Sequence, residues 1–279
     1  MVVDSENRPQ RGHFLPDSPP HGCSLGQEAV EKGAAAVDLQ PTIPKSDRLL
    51  DTICMYAHHL HSTVLIPAAG MGERLGLGPK ALLRLGEYTL IEILVNTLEQ
   101  VTDSIAVSAP NGYEQLFRNL LGTRASVVPG GNSRQASIER LLENSSSEVV
   151  LIQDVARPFA SARLIKQTIQ SAEEHGAAGA FLDPTVPVGY SENGIVRHHW
   201  DRHHARIFQA PQAYKRDILN QARTISGEQE FQSTAQMVLS AGFSLIEIPG
   251  EVENIKITTP FDWMVAQRVI APLLKLDKT

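Results

Sequence analysis

From Thr63 onward the chain alternates short, branched apolar runs with segments of helical apolar spacing, and this alternation constrains the fold more than any other feature. The runs 63–66, 104–108, 126–128, 148–152 and 177–182 have the length and branching of buried strands. Between them lie stretches with apolar residues on one helical side, such as Leu90, Ile93, Leu94 and Leu98, then 113–121, then 133–143 with Ile138, Leu141 and Leu142, then 160–175 closed by Gly176. A repeating strand–helix order predicts an α/β fold: a doubly wound, mostly parallel, Rossmann-like sheet with helices on both faces. Ligands of such sheets collect at the C-terminal strand ends. After Asp183 the rhythm breaks at Pro184, Pro187, Gly189 and Gly194, and 195–208 reads as extended strands pairing in an arm that projects from the sheet over about 184–210. The rhythm then returns with a helix after Tyr214, a helix over 231–241, a strand over 244–248 and a last helix over 260–274 opened by Pro260.

The first loop of this repeat carries the strongest chemical signal. After 63–66, side chains shrink at Ala68, Ala69, Gly70 and Gly72, which lets backbone approach a ligand and lets N–H groups converge on an anion. Arg74 and Lys80 follow, a fork and a point charge suited to a polyphosphate. The loop has no Gly-Lys-Ser/Thr ending, so it is not a P-loop, and no Gly-x-Gly-x-x-Gly opens a helix directly. By itself it is equally an ordinary strand–loop–helix turn with two solvated cations. Gly130-Gly131-Asn132-Ser133-Arg134-Gln135-Ala136-Ser137 follows the third strand, with hydroxyls near a helix start, and either Asn132 or Ser133 can be its N-cap. Asp154 follows the fourth strand, where an acid can face Mg²⁺ or a sugar hydroxyl. Arg157 is read as its ion-pair partner, tying the loop down. Lys256 is expected in a short strand before the last helix, where it can point at the same cleft or into solvent.

Composition bounds the rest. At 279 residues and 42% hydrophobic content the chain can bury a sizeable core, and its net charge of −6 disfavours a general nucleic-acid surface. The two cysteines, Cys23 and Cys54, fit a reducing compartment rather than a disulfide framework or zinc site. No apolar run reaches the roughly 18 residues of a membrane span, and no signal peptide is apparent, so a cytoplasmic location is expected. Residues 1–60, punctuated by Pro9, Pro16, Pro19, Pro20, Pro41 and Pro44, read as a largely disordered extension in which 46–59 can form a short helix. Residues 61–279 are read as the functional domain. The histidines at 58, 59, 61, 198, 199, 203 and 204 are read as polar or exposed positions rather than metal ligands.

Taken in order, Ala-Ala-Gly-x-Gly-x-Arg, Pro-Lys, Gly-Gly-x-x-Arg-x-x-Ser, Asp-x-Ala-Arg-Pro, Ala-Pro-Gln and Asn-Ile-Lys-Ile-Thr are together specific. Over 63–274 the chain closely resembles the cytidylyltransferases that act on 2-C-methyl-D-erythritol 4-phosphate, whose near relatives make CDP-ribitol from ribitol 5-phosphate. The resemblance implies a CTP site in which the loop 68–72 wraps the triphosphate and Arg74 and Lys80 neutralise it. It implies that Gly131, Asn132 and Ser137 read the cytosine, that Pro67 and Ala68 lie below the base, and that Asp154, with Val155, lies near the ribose, metal or acceptor. Lys256 would meet the α-phosphate, and Arg202 and Thr185 on the arm would meet the acceptor in a neighbouring subunit's site. Mg²⁺ would be held mainly by CTP phosphates rather than by a protein cage. The partners implied are CTP, a polyol phosphate and a second copy of the chain, with neither nucleic acid nor membrane.

The chain departs from that pattern on the acceptor side. Pro184-Thr185-Val186-Pro187-Val188 stands where an Asp-Thr pair is expected, Ala210 replaces a Thr, and Gln232-Ser233-Thr234-Ala235 lacks the acids of Thr-Asp-Glu-Ala. CTP use is therefore better supported than any one acceptor, and ribitol 5-phosphate or another polyol phosphate or phosphonate stays in view. A catalytically silent nucleotide-binding relative is the reading from another class, and a nucleotidylyltransferase for another base is the third. Pyrophosphate release and competition among the four NTPs separate them.

Overall fold

The computed structural model describes residues 61–274. The extension, and the short helix expected over 46–59, lie outside them. Strands and helices follow in the order β1 (Ser62–Pro67), β2 (Arg84–Leu85), β3 (Tyr88–Thr89), α1 (Leu90–Leu98), β4 (Ser104–Ala109), α2 (Glu114–Leu121), β5 (Ser126–Pro129), α3 (Arg134–Glu143), β6 (Val149–Ile152), α4 (Ala162–His175) and β7 (Ala177–Leu182). Then come β8 (Val188–Glu192), β9 (Ile195–Trp200), β10 (Ile207–Lys215), α5 (Arg216–Ser226), α6 (Thr234–Ser240), β11 (Ile246–Pro249) and α7 (Pro260–Val265). The central sheet has seven strands in the order β11-β7-β10-β6-β1-β4-β5. All its pairings are parallel except those of β10, which runs antiparallel between β6 and β7.

The middle strands are apolar throughout because both their faces are covered. Val64 and Ile66 pack with Ile91, Leu94 and Leu98 of α1, Phe117 of α2 and Ile165 and Ile169 of α4. Leu65, Val150 and Ile152 point the other way, onto Ile138, Leu141 and Leu142 of α3, Leu219 of α5 and Met237 and Val238 of α6. Helices start where hydroxyls satisfy free N–H groups. Thr89, Ser133, Ser161, Ser233 and Thr259 cap α1, α3, α4, α6 and α7.

Three expectations need correction. Residues 195–208 do not form the arm by themselves: β9 pairs with β8 across Asn193-Gly194, both at positive φ, a two-residue turn that favours this dipeptide. Ile207 and Phe208 belong to the central sheet, where Phe208 meets Phe181 edge-on. The rest of β10, beyond Phe208, was unforeseen, since Pro211 and the polar Gln209 and Gln212 interrupt any strand signal. Pairing with β7 shifts register between Phe208 and Gln212, and Pro211 falls inside that irregularity, where a missing N–H breaks no ladder. Lys256 does not lie in a strand: 254–258 is irregular and is fastened by the Ile257 N–H to the Ala156 carbonyl. The last helix reaches Leu273 as expected but widens to a π turn over Ala266–Ile270. Pro272, which has no N–H to give the carbonyl four residues back, accounts for the widening.

Candidate active site

The central strand β1 has β4 on one side and β6 on the other, so the chain reverses its winding direction there, and a crevice opens at the C-terminal ends. The crevice holds about 410 Å³, within the range of small-molecule sites. Its lining joins the loop after β1 (Pro67, Ala69, Gly70, Gly72, Arg74, Lys80), the loop after β5 (Gly131, Asn132, Ser137), the loop after β6 (Asp154, Val155) and Lys256. A larger hollow of about 530 Å³ lies at the opposite strand ends around Ser62, Ser104 and Val149. It gathers none of the motif residues, and its acids Asp103, Glu148 and Glu173 outnumber the one lysine, Lys215, which disfavours a polyanion there. The smaller crevice is the site.

In the first loop, the N–H groups of Ala69, Gly70, Met71, Gly72, Glu73 and Arg74 donate to nothing among the described residues. Consecutive free donors beside cations form a concavity for an anion. Ala68 is different. It is buried, and its N–H is committed to the Ser108 carbonyl at 3.1 Å, so it anchors the loop instead of contributing a free donor. Gly72 has φ +69°, and a Cβ there would stand 2.6 Å from the Gly78 carbonyl oxygen. Arg74 is exposed on the rim. Lys80 is half-buried and donates to the Ile257 carbonyl at 2.8 Å. Burial, then the nearby Arg74 and Lys256 charges, push its ammonium below the usual lysine range.

The second loop is built by glycine contacts. A Cβ on Gly130 would lie 2.2 Å from that of Ala69, and one on Gly131 would lie 2.5 Å from that of Ala136. These glycines therefore bring backbone close to backbone, where the sequence suggested close approach to a ligand. Ser133 is the cap of α3, and Asn132 stays exposed at the crevice. Ser137 is buried; its hydroxyl accepts from the Gly131 N–H at 3.0 Å and donates to the Ser133 carbonyl at 2.9 Å. It thereby fixes the loop's shape and keeps one acceptor lone pair for a ligand.

The third group is ionic. Oδ1 of Asp154 accepts from Nε and Nη2 of Arg134 at 3.1 and 2.9 Å, and Oδ2 meets Nζ of Lys256 at 3.1 Å. Burial alone would push the Asp154 carboxyl up, but the two cations, by charge and hydrogen bond, hold it well below the usual carboxylate range. Arg134, to which the sequence reading gave no part, is thus the principal partner of Asp154. Its place in Gly-Gly-x-x-Arg-x-x-Ser, one residue inside a capped helix that starts at the crevice, was the available signal. Arg157 does tie its loop down, but not by pairing with Asp154: its guanidinium donates to the carbonyls of Asn254 (2.6 Å) and Phe208 (3.4 Å). Burial lowers its pKa.

Thr185 and Arg202 are not brought to this crevice. Thr185 is exposed before β8, and Arg202 is exposed in the turn after β9. The β8–β9 hairpin also leaves Trp200 62% and Val196 71% exposed, large apolar surface without cover in the single chain.

The chain is similar to known proteins over most of the described residues. The family model described as IspD, 2-C-methyl-D-erythritol 4-phosphate cytidylyltransferase, matches residues 62–271. The 2-C-methyl-D-erythritol 4-phosphate cytidylyltransferase of Thermus thermophilus is 35% identical over 211 residues, covering 74% of this chain and 95% of that protein. That of Deinococcus radiodurans is 32% identical over 218 residues, covering 76% and 92%. The crystal structure of the Thermus thermophilus enzyme superposes with TM-score 0.64 at 33% identity, covering 74% of this chain and 96% of that one. The fold of the 4-diphosphocytidyl-2C-methyl-D-erythritol synthase from Anaerococcus prevotii matches with TM-score 0.67 at 24% identity over 75% of this chain and 95% of the other. The chain belongs to the 2-C-methyl-D-erythritol 4-phosphate cytidylyltransferase (IspD) family of nucleotidyltransferases.

Proposed function

We propose that this enzyme transfers the cytidylyl group of CTP to 2-C-methyl-D-erythritol 4-phosphate, giving a CDP-alcohol and pyrophosphate. The observation that carries this is the meeting, in one crevice, of a row of free backbone donors with Arg74, Lys80 and Lys256. The acceptor phosphate has its second pKa at about 6 and is mostly ionised at neutral pH, so no strong general base is required. One of its oxygens attacks the α-phosphorus in line, the bond from the α-phosphorus to the bridging oxygen breaks, and pyrophosphate leaves with the electron pair. Positioning two polyanions and stabilising the leaving group are then the catalytic tasks.

In this reading Ala69, Gly70 and Gly72 cradle the triphosphate, while Arg74 and Lys80 neutralise it. Gly131, Asn132 and Ser137 hold the cytosine edge, with Pro67 and Ala68 below the base. Asp154 and Val155 flank the ribose, and Lys256 meets the α-phosphate. Asp154 and Glu73 are the carboxylates at the crevice, and no three His, Cys, Asp or Glu side chains gather as metal ligands among the described residues. With both Asp154 oxygens engaged by Arg134 and Lys256, such a donor set fits Mg²⁺ that arrives on the nucleotide and is held mainly by its phosphate oxygens. When bound, the ion would screen phosphate charge.

Arg202 and Thr185 are assigned to the acceptor, reaching it from the hairpin of a second copy in a homodimer. The enzyme is assigned to the cytoplasm. The unusual sequence Pro184-Thr185-Val186-Pro187 favours a second acceptor reading, ribitol 5-phosphate or another polyol phosphate or phosphonate. The test is pyrophosphate release with CTP, Mg²⁺ and a panel of these acceptors. Release with 2-C-methyl-D-erythritol 4-phosphate alone supports the first reading, release with ribitol 5-phosphate alone supports the second, and no release with any acceptor overturns both.

A further inference from the structure

We propose that Arg134 is a positioning residue: it fixes the plane of the Asp154 carboxylate, and Asp154 in turn aims Lys256 into the crevice. The inference rests on the reading that Lys256 meets the α-phosphate.

The geometry divides the Asp154 carboxylate between two cations. Nε and Nη2 of Arg134 both converge on Oδ1, at 3.1 and 2.9 Å, while Oδ2 is left to Nζ of Lys256 at 3.1 Å. A planar fork on one oxygen sets the orientation of the carboxylate and hence the direction of the other oxygen, which a point charge would not do. Arg134 is itself held from two sides. It is the first residue of α3, behind the Ser133 cap, and its Nη1 donates to Oγ1 of Thr234, the first residue of α6, at 3.4 Å. α6 is anchored in turn, because the Ala235 N–H donates to Oε1 of the buried Gln212. The backbone around Lys256 is fastened, but its side chain has no comparable support. Its side chain is 45% exposed, its segment belongs to no strand, and the Asp154 carboxylate is its one ionic partner among the described residues. A four-carbon stem with that freedom points at a reacting phosphate only if something restricts it. The chain thus runs from two helix starts through Arg134 and Asp154 to the ammonium.

Arg134 also lines the crevice, so a direct contact with substrate is the rival account, and a double-mutant cycle separates the two. With CTP and the acceptor that the enzyme uses, R134A should lower kcat by about 10- to 100-fold, the loss of hydrogen bonds to a charged group, with KM for CTP changed little. R134A/K256A should be no slower than K256A. Free guanidinium should restore part of the R134A turnover and none of that of the double variant. R134K, which keeps the charge without the fork, should stay impaired in kcat while melting like the parent. Losses that multiply in the double variant, or a defect confined to KM for CTP, would overturn the proposal. If the parent enzyme released no pyrophosphate with any acceptor, the reaction reading would fail. A crystal structure of R134K would then decide the positioning. A turned Asp154 with Lys256 beyond the ion-pair distance of about 4 Å is expected; an unmoved pair overturns it.

Discussion

Nζ of Lys80 donates to the carbonyl of Ile257 at 2.8 Å, joining the first loop to the last motif of the chain across 177 residues. The contact lies in a half-buried spot beside two other cations, and these surroundings depress the lysine's proton affinity. The free enzyme should therefore lose Lys80's proton at a pH below the ordinary lysine value of about 10.4. If the proposed reaction needs the Lys80 cation, kcat/KM for CTP, which reports free-enzyme ionisations, should fall on the alkaline side earlier than an ordinary lysine would dictate. Bound triphosphate favours the charged form, so kcat should hold to higher pH. K80R, whose guanidinium stays charged, should lose this alkaline limb. K80A should reduce turnover by about 10²- to 10³-fold, the usual cost of removing one preorganised donor, while its melting temperature stays close to the parent's. Full turnover by K80A would count against the assigned role.

Two glycine substitutions should behave oppositely. A Cβ on Gly130 would press on Ala69 and on the Ala109 carbonyl oxygen, at 2.2 and 2.9 Å, with backbone on both sides unable to yield cheaply. G130A should cost about 1–3 kcal/mol, the range for overpacking, and should raise KM for CTP because the two loops assigned to the nucleotide are forced apart. At Gly70 an added Cβ meets nothing within 4 Å, and no positive φ is involved. G70A should leave the denaturation midpoint unchanged and weaken only CTP binding, since its methyl group would occupy the crevice. Paired urea melts and nucleotide titrations check both.

Gln212 supports the unforeseen strand from inside. Its Oε1 accepts from the Tyr214 hydroxyl at 3.0 Å and from the Ala235 N–H at 3.2 Å, and its Nε2 donates to the Gln209 carbonyl at 3.1 Å. Burial pushes the Tyr214 hydroxyl far above the usual tyrosine range, so it remains a donor at any working pH. Q212L strands buried polar groups and should cost about 1–3 kcal/mol for each group left unpaired. Y214F removes one member while leaving the amide its other partners, so its cost should be the smaller, about 0.5–1.5 kcal/mol. Denaturant midpoints for the two variants test the order.

What the sequence made legible follows from what each element depends on. Val64 and Ile66 against Leu65 declare a strand covered on both faces, because burial writes itself into local composition. The start capped at Ser133, one of the two caps offered, is equally local. β10 was hidden because Gln209 and Gln212 are buried polar residues whose partners lie far along the chain, and because Pro211 sits in a register shift that only the partner strand defines. The β8–β9 hairpin falls inside the arm expected over about 184–210, but its pairing was not legible, because Gly189 and Gly194 read as strand breaks while Asn193-Gly194 is the turn itself. In the crevice, the cations and glycines were visible as residue types. The pairing of Asp154 with Arg134 instead of Arg157 was not, because only the fold brings residues 134 and 154 face to face while Arg157 turns to the carbonyls of Asn254 and Phe208.

The hairpin supplies the last prediction. Arg202 lies outside the crevice of its own chain, on an arm whose Trp200 and Val196 are uncovered. If a second copy buries that surface and receives Arg202 in its site, each site takes Lys80 from one chain and Arg202 from the other. R202A should then raise KM for the acceptor and leave KM for CTP nearly unchanged, and W200D should sediment as a monomer. At acceptor concentrations well below the raised KM, where R202A is nearly idle, mixing R202A with K80A subunits should restore activity that neither shows alone. In a mixed dimer one site carries both lesions and the other carries none, so random pairing yields roughly a quarter of the parent activity. Sites complete within one chain would give no such recovery, because every crevice in the mixture would still carry a lesion. Subunit exchange followed by a pyrophosphate assay therefore distinguishes a shared site from a self-contained one.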